Sequence, residues 1–412
     1  MIRLLDRWSV DPRLVVAVGA LTLFGIAMIY SAGEVHIPNP VTDEAWLRQL
    51  LWFGLGLSAF TVLARVPPRW IEWVAVPAYV LSVLLLGITL VVGTGSGTAA
   101  GVKSWIDLGF ISFQPAEIAK LATILAVARL LSQRGAAKLT SLRDLVVPSA
   151  LVGLPLALVV LQPDIGTAMA FVGILFAMLY WAGTPVALLV LVASPVVSLF
   201  LSYDTRIWSW YILAVIAFLY FYRYRLFLFE SVALVLANFA AATISRPLWN
   251  SLATYQQNRI LVFLDPEVDP RGAGYQVIQS KVAVGSGGLL GQGFTLGPQK
   301  RYDFLPEQHT DFIFSVVGEE LGFVGTALAI VAFGYVLMRL VQLAERSHDP
   351  FAGLVLLGIF GAWLVHVFVN IGMTVGLVPI TGIPLPFVSY GGTFLFMSWV
   401  AVAIAVRVAH ER

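Results

Sequence analysis

Residues 304–322 read FLPEQHTDFIFSVVGEELG and set His309, Thr310 and Asp311 side by side just before an apolar run. Glu307 precedes them, and Glu319 and Glu320 follow about two helical turns later. Pro306 delays a helix to about Phe312, and Thr310 or Asp311 could cap it. A cap needs one such group and does not account for His309 or Glu307. The spacing is not the H-E-x-x-H zinc pattern. Five histidines in the whole chain argue against a His-rich metal site, and no G-x-S-x-G elbow supports a serine nucleophile. Two chemistries stay open for the carboxylate: general base, or ligand to a hard cation such as Mg2+. Glu319 and Glu320 suit a proton relay or a buried partner for Arg or Lys equally well.

Other polar groups recur in short motifs. KSWIDLG (103–109) supplies Lys103, Trp105 and Asp107, and FQPAEIAK (113–120) supplies Gln114, Glu117 and Lys120. Glu117 and Lys120 are three apart and share one helix face, either as site groups or as a self-neutralising ion pair. In LQPDIGTA (161–168) Asp164 reads first as an N-cap. Residues 259–276, RILVFLDPEVDPRGAGYQ, mix Arg259 and Arg271 with three acids, but prolines and spacing suggest turns rather than a calcium loop. Residues 370–394, rich in Pro and Gly, read as an exposed loop offering Asn370, Ser389 and Tyr390. Their SYGG end is either an anion cradle or helix-breaking punctuation.

The elements that must position these groups are set by composition. The chain has 412 residues, 59% hydrophobic and only 12% charged, with a mean hydropathy of +0.88; a soluble domain carries about 25% charged residues. This is the profile of a polytopic membrane protein. A net charge of +2 gives no basic face for nucleic acid, and the absence of cysteine excludes disulfides and thiolate chemistry. Apolar runs occur near 14–32, 46–65, 70–93, 115–133, 145–161, 166–182, 185–203, 207–222, 226–247, 312–338, 353–375 and 389–408. Backbone in lipid must satisfy its own hydrogen bonds, so continuous runs of this kind predict helices: an all-α fold of about twelve, in one integral membrane domain over 1–412. The first run reads as a retained helix rather than a cleaved signal.

If twelve helices alternate, Arg3, Arg7, Arg13, Arg65, Arg69, Arg129, Arg134, Lys138, Arg143, Arg223, Arg225, Arg339, Arg346, Arg407 and Arg412 fall on one side. The positive-inside rule makes that side, with both termini, cytoplasmic. The other side then holds the motifs and a large extracytoplasmic loop, 248–311. Within it GYQVIQSKVAV predicts a short amphipathic helix with Tyr275, Ile278 and Val282 on one face, the glycine-rich GSGGLLGQG (285–293) follows, and the loop as a whole is expected to pack against the outer membrane surface.

Together these motifs resemble the SEDS family (shape, elongation, division and sporulation), the polytopic polymerases of peptidoglycan. WIDLG, QPAEIAK, QPDIGTA, FLDPEVDPRGAGYQ, FLPEQHTDFIF and GIPLPFVSYGG stand in the family's order and cover most of the chain. The last two look like the RodA elongation branch rather than the FtsW division branch. The resemblance implies a glycosyltransferase of the bacterial cytoplasmic membrane that polymerises lipid II at the outer face, displacing undecaprenyl diphosphate with inversion. It places the family's essential aspartate on Asp311 and substrate-binding residues on Trp105, Glu117, Lys120 and Asp164. Lys103, Arg259, His309 and Ser389 join them as candidates for diphosphate and saccharide. A divalent cation, Mg2+ or Mn2+, is the candidate cofactor, and a class B penicillin-binding protein the implied partner. The chain departs from the pattern at Ser104, where Arg is frequent, and at Ala116, where Ser is usual. RodA-like proteins have a ten-helix core, so the surplus is expected as an extra helical hairpin near 185–225. A precursor flippase or transporter, and a non-catalytic scaffold for a cell-wall synthase, are the rival readings.

Overall fold

The computed structural model describes residues 11–36, 43–95, 102–107, 109, 112–134, 139–222, 227–270 and 272–410. Of the basic residues used above, Arg3, Arg7, Lys138, Arg223, Arg225, Arg271 and Arg412 lie outside them.

Twelve long helices follow the apolar runs: α1 (Pro12–Gly33), α2 (Ala45–Leu63), α3 (Pro68–Val92), α4 (Pro115–Gln133), α5 (Leu142–Leu161), α6 (Ile165–Trp181), α7 (Val186–Leu201), α8 (Thr205–Tyr222), α9 (Leu228–Ser251), α13 (Ile313–Arg346), α14 (Pro350–Thr374) and α15 (Gly392–Ala409). Between α9 and α13 the loop is itself helical, with α10 (Thr254–Leu264), α11 (Ala273–Ser286) and α12 (Pro298–Arg301). A two-stranded hairpin, β1 (Ile106–Asp107) and β2 (Ser112–Phe113), joins α3 to α4. Many starts are local chemistry: Asp11 caps α1, Asp164 caps α6 and Asp349 caps α14, each with a carboxylate on a first-turn N–H.

α14 is the central helix, packed on α4, α6 and α13. Small residues allow this closeness. A Cβ at Gly361 would stand 2.4 Å from the Gly173 carbonyl, and one at Gly173 would stand 2.6 Å from the Gly361 carbonyl. The backbones of α6 and α14 therefore meet directly, as packing inside a membrane favours.

α13 is broken at Gly322, whose φ of 63° and ψ of −161° leave the helix. The break frees the carbonyls of Glu319 and Glu320, and the amides of Gln292 and Gly293 take them at 2.9 and 3.0 Å. In return, Phe323 and Val324 donate to the carbonyls of Gly288 and Leu289. The glycine-rich 285–293 segment thus seals a broken helix.

α11 forms where expected, with Ile278 and Val282 facing outward and Val277, Ser280 and Ala283 buried. Two expectations are corrected. The 370–394 segment is not an exposed loop: α14 continues to Thr374, and Leu385 to Ser389 are all buried. The α13 N-cap position is Phe312, and neither Thr310 nor Asp311 caps it.

Candidate active site at the loop end of the bundle

The motif loops meet at one end of the bundle. The Lys103 amide donates to the Gln162 carbonyl, the Tyr390 amide to the His309 carbonyl, and Gln49 to the Ser389 carbonyl. A Cβ at Gly166 would press on the Thr381 carbonyl at 2.7 Å, so the start of α6 abuts the 376–391 segment.

Asp311 sits at this junction, two residues before the buried start of α13. Its backbone carbonyl accepts from Asn370 Nδ2 at 2.9 Å, and the same amide group donates to the Ile383 carbonyl at 2.8 Å. Its carboxylate faces Gly382: a Cβ there would lie 3.2 Å from Asp311 Oδ2 and 4.0 Å from Arg259 Nη1. Gly382 has φ 73°, so glycine is required for both conformation and space. Arg259 extends from α10, with its guanidinium 5.8 Å from the Tyr255 ring one turn earlier. Burial pushes the Asp311 carboxyl up to about 7; Glu307 adds to this, Arg259 opposes it and Asp164 adds further. Asp311, Arg259, Glu307 and Asp164 therefore form one electrostatic cluster.

Neighbouring groups hold the cluster in place. The Thr310 hydroxyl bonds the Glu307 carboxylate at 3.1 Å. Ser389 Oγ donates to the Thr310 carbonyl at 2.6 Å and accepts from the Leu385 amide at 2.8 Å. Ser389 is thus a buried brace for the Asp311 backbone. Burial holds the His309 imidazole below its ordinary value, against the pull of Glu307 and Asp303, so it is neutral at pH 7. Its ring lies 5.6 Å from that of Tyr390. Asp164 caps α6 through the Thr167 amide at 3.0 Å and also accepts from Thr167 Oγ1 and Gln114. Lys103 is exposed, and Trp105 is half-buried and paired with Thr94.

Glu117 and Lys120 occupy a separate, interior position. Lys120 Nζ lies 2.9 Å from Glu117 and 2.9 Å from His366 Nε2. His366 Nδ1 is 3.0 Å from the Pro384 carbonyl, so the pair reaches the Asp311 platform through a histidine. His366 and Asn370 stand four apart on α14, and both hold the 383–384 backbone. The sequence reading passed over His366 and gave Asn370 to a loop; a polar pair at helical spacing in an apolar run was the available signal. The SYGG cradle does not form as expected, because the Gly391 amide is committed to Gln49 Oε1 at 3.2 Å.

Glu319 and Glu320 are fully buried and serve the loop. Glu319 accepts from the Gln299 amide at 2.7 Å at the start of α12. Glu320 pairs with Lys300 at 3.0 Å and accepts from Ser31 at 2.6 Å, while Lys300 also donates to the Ser31 carbonyl. Among the described residues no three His, Asp or Glu side chains converge as a metal cage. Mg2+ is commonly held by one or two carboxylates plus substrate phosphates, and Asp311 with Glu307 is the donor pair that fits such sharing.

The fold and site define an integral membrane protein whose loops gather a half-buried carboxylate and an arginine at one end of a helical bundle. The chain matches the model of the cell cycle protein family FTSW_RODA_SPOVE over residues 12–220 and 203–412, and it belongs to that family. It is 35% identical to peptidoglycan glycosyltransferase MrdB of Escherichia coli (strain K12), covering 99% of this chain and 95% of that one. It is 34% identical to peptidoglycan glycosyltransferase RodA of Treponema pallidum (strain Nichols), covering 97% of each. Among solved structures, a chain of a peptidoglycan synthase complex that coordinates polymerization and crosslinking superposes with a TM-score of 0.71 at 31% identity, over 97% of both chains. The rod shape determining protein RodA of Thermus thermophilus superposes with a TM-score of 0.63 at 28% identity, over 97% of this chain and 96% of that one.

Proposed function

We propose that the chain is a peptidoglycan glycosyltransferase of the RodA type, polymerising lipid II with Asp311 as general base. The observation that carries the role of Asp311 is its half-buried carboxylate, held beside Arg259 against Gly382. The acceptor 4-hydroxyl attacks the donor anomeric carbon, its proton passes to Asp311, and the bond from that carbon to the lipid diphosphate breaks. One displacement inverts the α-linked donor to a β-linked product, as a single carboxylate base supports in inverting glycosidases. A carboxyl at about 7 is half ionised near neutral pH, close to the optimum for general-base catalysis, worth about 10²–10⁴-fold. The diphosphate leaves as an anion and needs compensating charge rather than a proton. Arg259 supplies that charge from α10, with Lys103 at the rim; Lys120 acts from the interior through His366. A divalent cation on Asp311 and Glu307 would add charge neutralisation at the diphosphate.

The described Arg13, Arg65, Arg69, Arg134, Arg143, Arg346 and Arg407 stand at or near the helix ends opposite the site, and Arg129 and Arg339 lie within the last turns leading to them. The positive-inside rule then makes those ends and both termini cytoplasmic, and the site extracytoplasmic. We read α7 and α8 as a hairpin added to a ten-helix core on the resemblance alone; the two family matches, 12–220 and 203–412, overlap at 203–220. The likeness to a synthase complex supports a class B penicillin-binding protein as partner.

Asp311→Asn keeps shape and removes the base. Purified protein carrying it should fold and lose lipid II polymerisation by the factor given above. A mutant polymerising at the wild-type rate sinks the assignment, and a mutant that is inactive in vitro yet supports growth points to a scaffold.

A further inference from the structure

α10 presents two groups to the site, and only one has been used. Tyr255 and Arg259 are four residues apart on one face of that helix. The Tyr255 ring lies beneath the Arg259 guanidinium at 5.8 Å. Its hydroxyl is buried and hydrogen-bonds to no described residue, although the charges of Arg259 and Asp164 both act on it. A phenol hydroxyl taken from water usually finds a partner, because leaving it without one is costly. Here it feels the field of a cation and an anion and bonds to neither. Across the site, Thr381 Oγ1 is likewise buried without a partner, one residue before Gly382. A ligand oxygen at this place would satisfy the phenol and neutralise the guanidinium together. An anion beside Arg259 is the chemistry that does both.

We propose that Tyr255 is a substrate-binding residue, its hydroxyl donating to a diphosphate oxygen that Arg259 neutralises, so that the α10 face forms a two-donor clamp for the lipid diphosphate. This rests on the glycosyltransferase reading above for the identity of the ligand. Lys103 is exposed and Lys120 is turned to Glu117 and His366, which leaves α10 as the element that brings both a charge and a neutral donor to the Asp311 cluster.

The test is Tyr255→Phe in the full chain, in detergent or nanodiscs, with undecaprenyl diphosphate as binding probe and lipid II as substrate. Phenylalanine keeps the ring beneath Arg259 and removes only the hydroxyl. The thermal midpoint without ligand should match or exceed that of the wild type, while affinity for undecaprenyl diphosphate falls about tenfold, the loss of one hydrogen bond to a charged acceptor. A clearly lower midpoint would show that the hydroxyl is a structural donor and would overturn the proposal. Affinity within about twofold of the wild type would also overturn it. So would an equal loss for phosphatidylglycerol, which marks a general anion surface. If the wild type binds undecaprenyl diphosphate but forms no glycan, the transferase reading fails and the binding comparison still decides the clamp. If the wild type neither binds nor polymerises, both readings fall.

Discussion

The side-chain amide of Asn370 donates to the backbone carbonyl of Asp311 at 2.9 Å and to that of Ile383 at 2.8 Å. One group on the central helix thus joins the proposed base to the segment whose Gly382 confines its carboxylate. Four residues earlier, His366 holds Pro384 in the same segment.

Asn370→Ala should therefore lower kcat more than it changes KM. Asp311 keeps its chemistry and loses its register, and small displacements of a reacting group cost about 10²-fold. Steady-state polymerisation of lipid II measures this. A mutant whose only defect is a raised KM would count against a positioning role.

The second prediction concerns pH. Because Asp311 is raised to about 7, activity should rise with pH on a limb near that value as the base form fills. Glu307 is one of the groups that raise it, so Glu307→Gln should move the limb to lower pH. A pH–rate profile of the two proteins decides the matter, and a limb that stays in place excludes Asp311 as the group observed.

The same shift bears on stability. The folded value lies above the unfolded one of 3.8, so the native state holds this proton more tightly. Stability owed to Asp311 is present below about pH 4 and is lost as pH rises through about 7. Asp311→Asn cannot titrate and should gain thermal midpoint over the wild type as pH is raised between these limits. A constant difference across that range would contradict the raised value.

Lys300 and Glu320 form a fully buried pair that ties α12 to the first half of α13 and to Ser31 of α1. Lys300→Met or Glu320→Gln alone disrupts the neutral pair, and breaking a buried pair costs about 3–5 kcal/mol. The double change Lys300→Met with Glu320→Leu leaves no lone charge and should recover much of the midpoint. Additive losses in the double mutant would argue against this coupling.

At Gly322 a Cβ would lie 2.4 Å from the Gly291 nitrogen, in backbone with φ 63°. Gly322→Ala should destabilise the chain by more than 1 kcal/mol, roughly the conformational penalty alone. Gly334, within α13 and with nothing within 4 Å, is the control: alanine there should stabilise by about 0.5–1 kcal/mol. Thermal unfolding of both variants in one detergent separates break geometry from general glycine effects.

The amino-acid sequence alone determined the helices. Continuous apolar runs leave lipid-embedded backbone no other way to satisfy its hydrogen bonds, and each of the twelve expected helices is present. Turn chemistry was equally local: Asp164 caps α6 because its carboxylate reaches an amide three residues on, and Asp265 turns the DPEV segment by the same device. The tertiary structure decided everything that depends on distance across the chain. Asp311 and Arg259 are 52 residues apart in number, and only the folded chain brings both against Gly382. Glu319 and Glu320 could have been a relay or ion-pair partners. Their roles were settled by Gln299, Lys300 and Ser31, which the folded loop brings to them. Which side of α11 is buried was also decided by distant partners: Ser280, on the buried side with Val277 and Ala283, meets the Ser315 hydroxyl and the Thr374 carbonyl. The glycine-rich 285–293 segment became intelligible only beside the break at Gly322, because the hydrogen bonds it completes belong to another helix.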